Sequence, residues 1–99
     1  MRYYGSVIQS FADGVTKKVW LRERVKGIGP VVHRQAHRKL VQLNVAAVLD
    51  DLRVPPGNRL EKLKGDRAGS YSIWVNDQFR ICFVWTRSGP SNVQLVDYH

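Results

Sequence analysis

The hydrophobic period of this chain changes once, at the turn Val54-Pro55-Pro56-Gly57. Two prolines followed by glycine suit neither a helix interior nor a central strand. Upstream, Val32, Ala36, Leu40, Leu43 and Ala47 follow at spacings of four, four, three and four. That spacing lays one apolar stripe on a helix opening at Pro30, with His33, Arg34, His37, Arg38 and Lys39 on its other side. Asp13 caps an earlier helix over residues 13–26, whose apolar positions are Val15, Val19 and Trp20, and Gly27 and Gly29 stop it. Downstream the period is two. Tyr71, Ile73 and Val75 alternate with Ser70, Ser72 and Trp74, and Asn76-Asp77 makes a tight turn. Phe79, Ile81, Phe83 and Trp85 then alternate with Arg80, Cys82 and Val84. Ser88-Gly89-Pro90 turns the chain into a last run over residues 93–98. Residues 7–11 and 60–64 alternate less cleanly and read as short strands.

These signals define an α+β architecture: two N-terminal helices packed on one face of a mostly antiparallel sheet of four to five strands. At 99 residues the chain is one domain, close to the smallest that fold on a hydrophobic core alone. Strand phase then sorts the side chains. If Phe79, Ile81 and Phe83 lie under the helices, Arg80 points to the opposite face beside Ser72 and Trp74. Nothing in the sequence covers that face, so it reads as an open platform for a nucleic-acid chain.

Charge points to the same partner. Sixteen Lys and Arg stand against eight Asp and Glu, a net charge of +8 that calls for an anion such as nucleic acid. The single cysteine, Cys82, excludes an internal disulfide framework and a Cys-rich zinc site, and its apolar neighbours predict a buried thiol. The apolar run at residues 45–49, which no other run exceeds, is far too short to span a bilayer. With no secretion signal, the expected location is the cytoplasm, with no membrane contact.

Metal-free cleavage of RNA needs a base for the ribose 2′-OH, an acid for the departing 5′-oxygen, and cations around the phosphorane. Glu61, Lys64, Arg67, Arg80, Asp97, Tyr98 and His99 are the candidates near the last three strands. His99 is the natural acid or base, because an imidazole titrates near neutrality. Lys64, Arg67 and Arg80 suit phosphate oxygens, and Tyr98 can position a phosphate or stack on a base. Each also has an ordinary reading. A terminal histidine frays, a strand arginine pairs across the sheet with a residue such as Asp97, and Lys64 and Arg67 beside Gly65 form a charged turn. Spacing alone leaves a basic RNA-binding protein ahead of a nuclease. Lys62, Lys17, Lys18 and Arg22 add a sequence-independent footprint for RNA phosphates, or simply solvated faces. His33 and His37, four apart on a helix, have zinc-pair spacing but stand beside Arg34 and Arg38, and no third ligand is evident.

The turn LKGDR at residues 63–67, the strand–turn–strand VNDQFRICF at 75–83 and the terminal DYH at 97–99 together resemble the HigB-like toxins of the RelE/ParE superfamily. The likeness runs from about Phe11 to the end and is strongest from Leu43. It implies the RelE-like microbial RNase fold and a type II toxin that enters the ribosomal A site and cuts mRNA there, without cofactor or metal. It implies neutralisation by a HigA-like helix-turn-helix antitoxin, and contact with operator DNA only through that antitoxin. The implied active site is Asp97, Tyr98 and His99, supported by Lys64 and Arg80. Non-cleaving relatives of the same architecture, which poison gyrase or block the ribosome, and a weakly active corepressor partner of the antitoxin are the alternatives.

Two departures from that pattern stand out. Glu61 occupies the position two before the Leu of LKGD, where the pattern has histidine; it can act as a base but adds negative charge beside the phosphate, which implies weaker activity. Family members open Met-Ile-x-Ser-Phe, whereas Val7-Ile8-Gln9-Ser10-Phe11 is preceded by six further residues. Residues 1–6 therefore read as an extension.

Overall fold

A computed structural model describes residues 7–98; residues 1–6 and His99 lie outside them. The described chain forms helix α1 (Gly14–Trp20), helix α2 (Pro30–Val45), then strands β1 (Glu61–Lys62), β2 (Ser70–Trp74), β3 (Phe79–Thr86) and β4 (Gly89–Asp97). The strands pair in chain order β1-β2-β3-β4, each antiparallel to the next. The helices pack on one face, which is the expected α+β arrangement.

Helix α1 starts where the sequence predicts, because the Asp13 carboxylate accepts a hydrogen bond from the Thr16 amide at 2.8 Å. It ends six residues earlier than expected. Arg22 sits in the left-handed region at φ 63°, which breaks the helix after Trp20 and lets Val25 and Ile28 fold back against the core. The expected apolar side is also rotated: Val15 is exposed, and Thr16 is fully buried. Its hydroxyl accepts from the Leu95 amide on β4 at 2.9 Å, so burying a polar residue here satisfies a strand edge. Residues 9–12 complete that edge. The Gln9 amide donates to the Pro90 carbonyl at 2.8 Å, Ala12 to Val93 at 2.9 Å, and Val93 to Ser10 at 3.0 Å. The expected N-terminal strand is thus reduced to one parallel bridge, Phe11 with Val93, yet it covers β4 against edge pairing.

Along α2 the stripe holds through Ala36, Leu40 and Leu43, all fully buried. It then shifts, with Ala46 buried and Ala47 exposed. The helix ends at Val45 with Ala46 extended, so the helical spacing no longer applies. These residues meet Ile73, Ile81, Phe83, Val93 and Leu95 from the sheet to form the core.

The proline turn is organised by Asn58, which is fully buried. Its amide donates to the Leu52 carbonyl at 3.1 Å and Gln42 Oε1 at 3.2 Å, while its oxygen accepts from Lys39 Nζ at 2.6 Å. The switch from helix to sheet is therefore tied to α2. Burial lowers the Lys39 pKa, and the neighbouring Arg38 lowers it further.

Leu40→Ala removes a fully buried side chain from the centre of this core and is expected to cost about 2–5 kcal/mol. Urea unfolding checks this: the midpoint drops and the m-value stays near wild type.

Candidate functional site

The register of β2 with β3 builds the site. Ile73 faces Ile81 on the core side, and Trp74 faces Arg80 on the other. Glu61, opposite Ser72, joins the second face from β1. Three of the anticipated residues meet there. Arg80 Nη1 lies 3.5 Å from the Glu61 carboxylate, and its guanidinium carbon stands 5.7 Å from the centre of the Tyr98 ring.

That face is not the bare platform the sequence suggests. Ser72 and Cys82 are buried, and the Arg80 side chain keeps only 13% of its exposure. Over Arg80 and Trp74 the cover comes from the residue following Asn58. Arg59 adopts a left-handed backbone at φ 47°, its carbonyl accepts from Arg80 Nη2 at 2.9 Å, and its guanidinium lies 4.5 Å from the Trp74 ring centre. Spacing missed Arg59, because its part depends on a backbone conformation that no local motif announces. Among the described residues, Arg80 Nε and the Ser72 hydroxyl are buried with no hydrogen-bond partner. A guanidinium has five N–H donors, so Arg80 keeps donors beyond the one that serves Arg59.

Other anticipated residues fall at varied distances from this centre. The cross-strand partner of Arg80 is Val96, and Asp97 pairs with Phe79. Asp97 Oδ2 accepts from Gln78 Nε2 at 3.1 Å, one residue out of phase with Arg80. Lys64 stands exposed at the entry to the short helical turn Gly65–Arg67. Arg67 stands exposed in the same turn, and burial pushes the Cys82 thiol pKa up while the Arg67 and Arg80 charges oppose it. Lys62 is opposite Tyr71 and therefore has the phase of the helix-covered face, away from Arg80. His99 lies outside the described residues.

Lys17, Lys18 and Arg22 belong to the helical layer, across the sheet from Arg80. Arg22 Nε donates to His37 Nε2 at 3.4 Å, and His37 stacks on Trp20 with ring centres 5.8 Å apart. His33 Nε2 lies 2.9 Å from the Glu23 carbonyl. The histidine pair thus fastens residues 21–29 to α2. Between them opens a cleft of about 920 Å³, where Arg22, Arg24, Arg34 and Arg38 surround Val25, Ile28 and Val41. Among the described residues no three His, Cys, Asp or Glu side chains converge as metal ligands. No helix there is long and apolar enough to cross a membrane.

A helix-backed antiparallel meander presenting an arginine, a carboxylate and a phenol on one face defines a small basic α+β protein. The chain belongs to the RelE-like toxins of the type II toxin–antitoxin system HigB, whose family model matches residues 9–99. It is 38% identical to Toxin HigB-1 of Vibrio cholerae, over 80% of this chain and 90% of that protein. It is 36% identical to an uncharacterized protein of Haemophilus influenzae, over 59% of this chain and 57% of that one. Membership in a type II system implies a cognate antitoxin.

Burial of His37, reinforced by the Arg22 charge, holds its pKa below the ordinary 6.5, although a backbone hydrogen bond at Trp20 opposes the shift. Below pH 6.5 the unfolded chain binds this proton before the folded one does, so the contribution is complete above 6.5 and is lost as pH falls through the folded value. His37→Gln is expected to lose less stability than wild type between pH 7 and the lower folded pKa, as compared in thermal melts at stepped pH.

Proposed function

We propose that this toxin is a ribosome-dependent, metal-independent endoribonuclease that cuts mRNA in the A site and so inhibits translation in the cytoplasm. The observation that carries the reading is Arg80, held by the Arg59 carbonyl and flanked by Glu61 at 3.5 Å and Tyr98 at 5.7 Å. An arginine held through Nη2 by main chain keeps a planar fork suited to phosphate oxygens, with Glu61 as the contact a phosphate displaces from Nη1. Glu61 removes the proton of the ribose 2′-OH, whose oxygen attacks phosphorus. Arg80 and Lys64 stabilise the added negative charge. His99 gives a proton to the leaving 5′-oxygen, with Asp97 orienting it and Tyr98 holding the phosphate. The products are a 2′,3′-cyclic phosphate and a free 5′-hydroxyl. Arg67 adds a phosphate contact at the rim. The cognate antitoxin is of the HigA helix-turn-helix type and carries the pair to operator DNA.

The Glu61–Arg80 ion pair also favours a second reading. A carboxylate against the phosphate-binding cation competes with the substrate, which suits a weakly cleaving toxin or a non-cleaving one that blocks the ribosome or serves as corepressor.

Primer extension on mRNA after induction separates these readings: new 5′ ends inside codons support the nuclease, and unchanged transcripts the binder. On programmed ribosomes Arg80→Ala is expected to slow cleavage by roughly 10²–10³-fold, and His99→Ala by roughly 10²–10⁴-fold. Glu61→His relieves the opposing charge and is expected to raise the cleavage rate; an unchanged rate removes Glu61 from the chemistry.

A further inference from the structure

Several unusual features converge beside Arg80. Arg59 is a non-glycine residue in the left-handed region. Its guanidinium carbon stands 4.5 Å from the centre of the Trp74 ring, while its own carbonyl holds Arg80. Beneath them the Ser72 hydroxyl and Arg80 Nε are buried without partners among the described residues. Strained backbone and unpartnered buried donors gather where a ligand completes the set. Trp74 is also the one tryptophan on this face: Trp20 and Trp85 pack against the core.

We propose that Trp74 is a nucleobase-stacking subsite, capped in the free protein by the Arg59 guanidinium. The proposal rests on the reading of the Arg80 face as an RNA site. Trp74 and Arg80 are cross-strand partners on one face, and neighbours of that kind stand close enough to engage the base and the phosphate of one nucleotide. Arg59 is exposed, so its cation–π contact is of the weaker kind, and a base stacking on indole outcompetes it. Only the side chain has to move. The Arg59 carbonyl stays on Arg80, and the released guanidinium can close over the outer face of the base. Stacking of this type accepts any base, so the subsite contributes grip and positioning more than codon choice.

The test uses the full chain and a short RNA carrying 2-aminopurine, 2′-O-methylated throughout so that it cannot be cleaved. Affinity and fluorescence quenching at saturation are measured separately for wild type, Trp74→Ala, Trp74→Phe and Arg80→Ala. Wild type is expected to quench the probe, and Trp74→Ala to abolish the quenching and weaken binding roughly tenfold. Trp74→Phe retains a ring and stays close to wild type in affinity; it also answers for a fold disturbed by the alanine. Arg80→Ala weakens binding but quenches normally once saturated. If both Trp74 variants bind and quench like wild type while Arg80→Ala still weakens binding, the subsite is wrong and the RNA site stands. If Arg80→Ala has no effect either, the RNA reading of this face falls, and the subsite with it.

Discussion

The pairing of Ile73 with Ile81 governs the rest of the structure. With these two isoleucines opposite one another under α2, period-two geometry leaves Trp74 and Arg80 together on the far face. A slip of one residue would drive Arg80 into the core and Ile81 into solvent, an exchange that costs both apolar burial and an uncompensated buried charge. Core packing and site assembly are therefore one constraint. The same pairing sets Glu61 across from Ser72 and Val96 across from Arg80, which brings the following Tyr98 to the guanidinium.

Magnitudes decide how Arg80 is held. Its contact with Glu61 at 3.5 Å reaches a carboxylate that is 61% exposed. A half-solvated pair of this kind contributes about 0–1 kcal/mol. The bond to the Arg59 carbonyl at 2.9 Å is shorter and comes from backbone pinned by the buried Asn58. Arg80 is thus oriented mainly by main chain, and the Glu61 pair adds little to that hold. The surplus of positive charge lies elsewhere, around the cleft between residues 21–29 and α2 on the helical side. The cationic cleft and Arg80 therefore occupy opposite faces of the sheet.

Much of this was legible in the residues. The proline turn marked the change of period, and alternation through Phe79, Ile81 and Phe83 put Arg80 on the outer face before any contact was known. The motifs around Lys64, Arg80 and Asp97 carried the family. Illegible were features that depend on partners distant in sequence. Thr16 is buried because the Leu95 amide, far along the chain, needs an acceptor. Helix α1 stops at Trp20 because Val25 and Ile28 must return to the core, and the glycines that looked like a stop come later. Arg80 and Trp74 are covered because the chain after the buried Asn58 brings Arg59 over them.

Local rules act over a few residues, and so the sequence by itself determined where helix gives way to strand and the phase of the strands around Ile73 and Ile81. Which charges meet is settled by packing. Only the tertiary structure decided that Glu61 pairs with Arg80, that Lys62 has the phase of the other face, and that Arg59 caps Trp74. Each of those outcomes depends on register between strands and on one buried asparagine, and neither leaves a periodic trace in the chain.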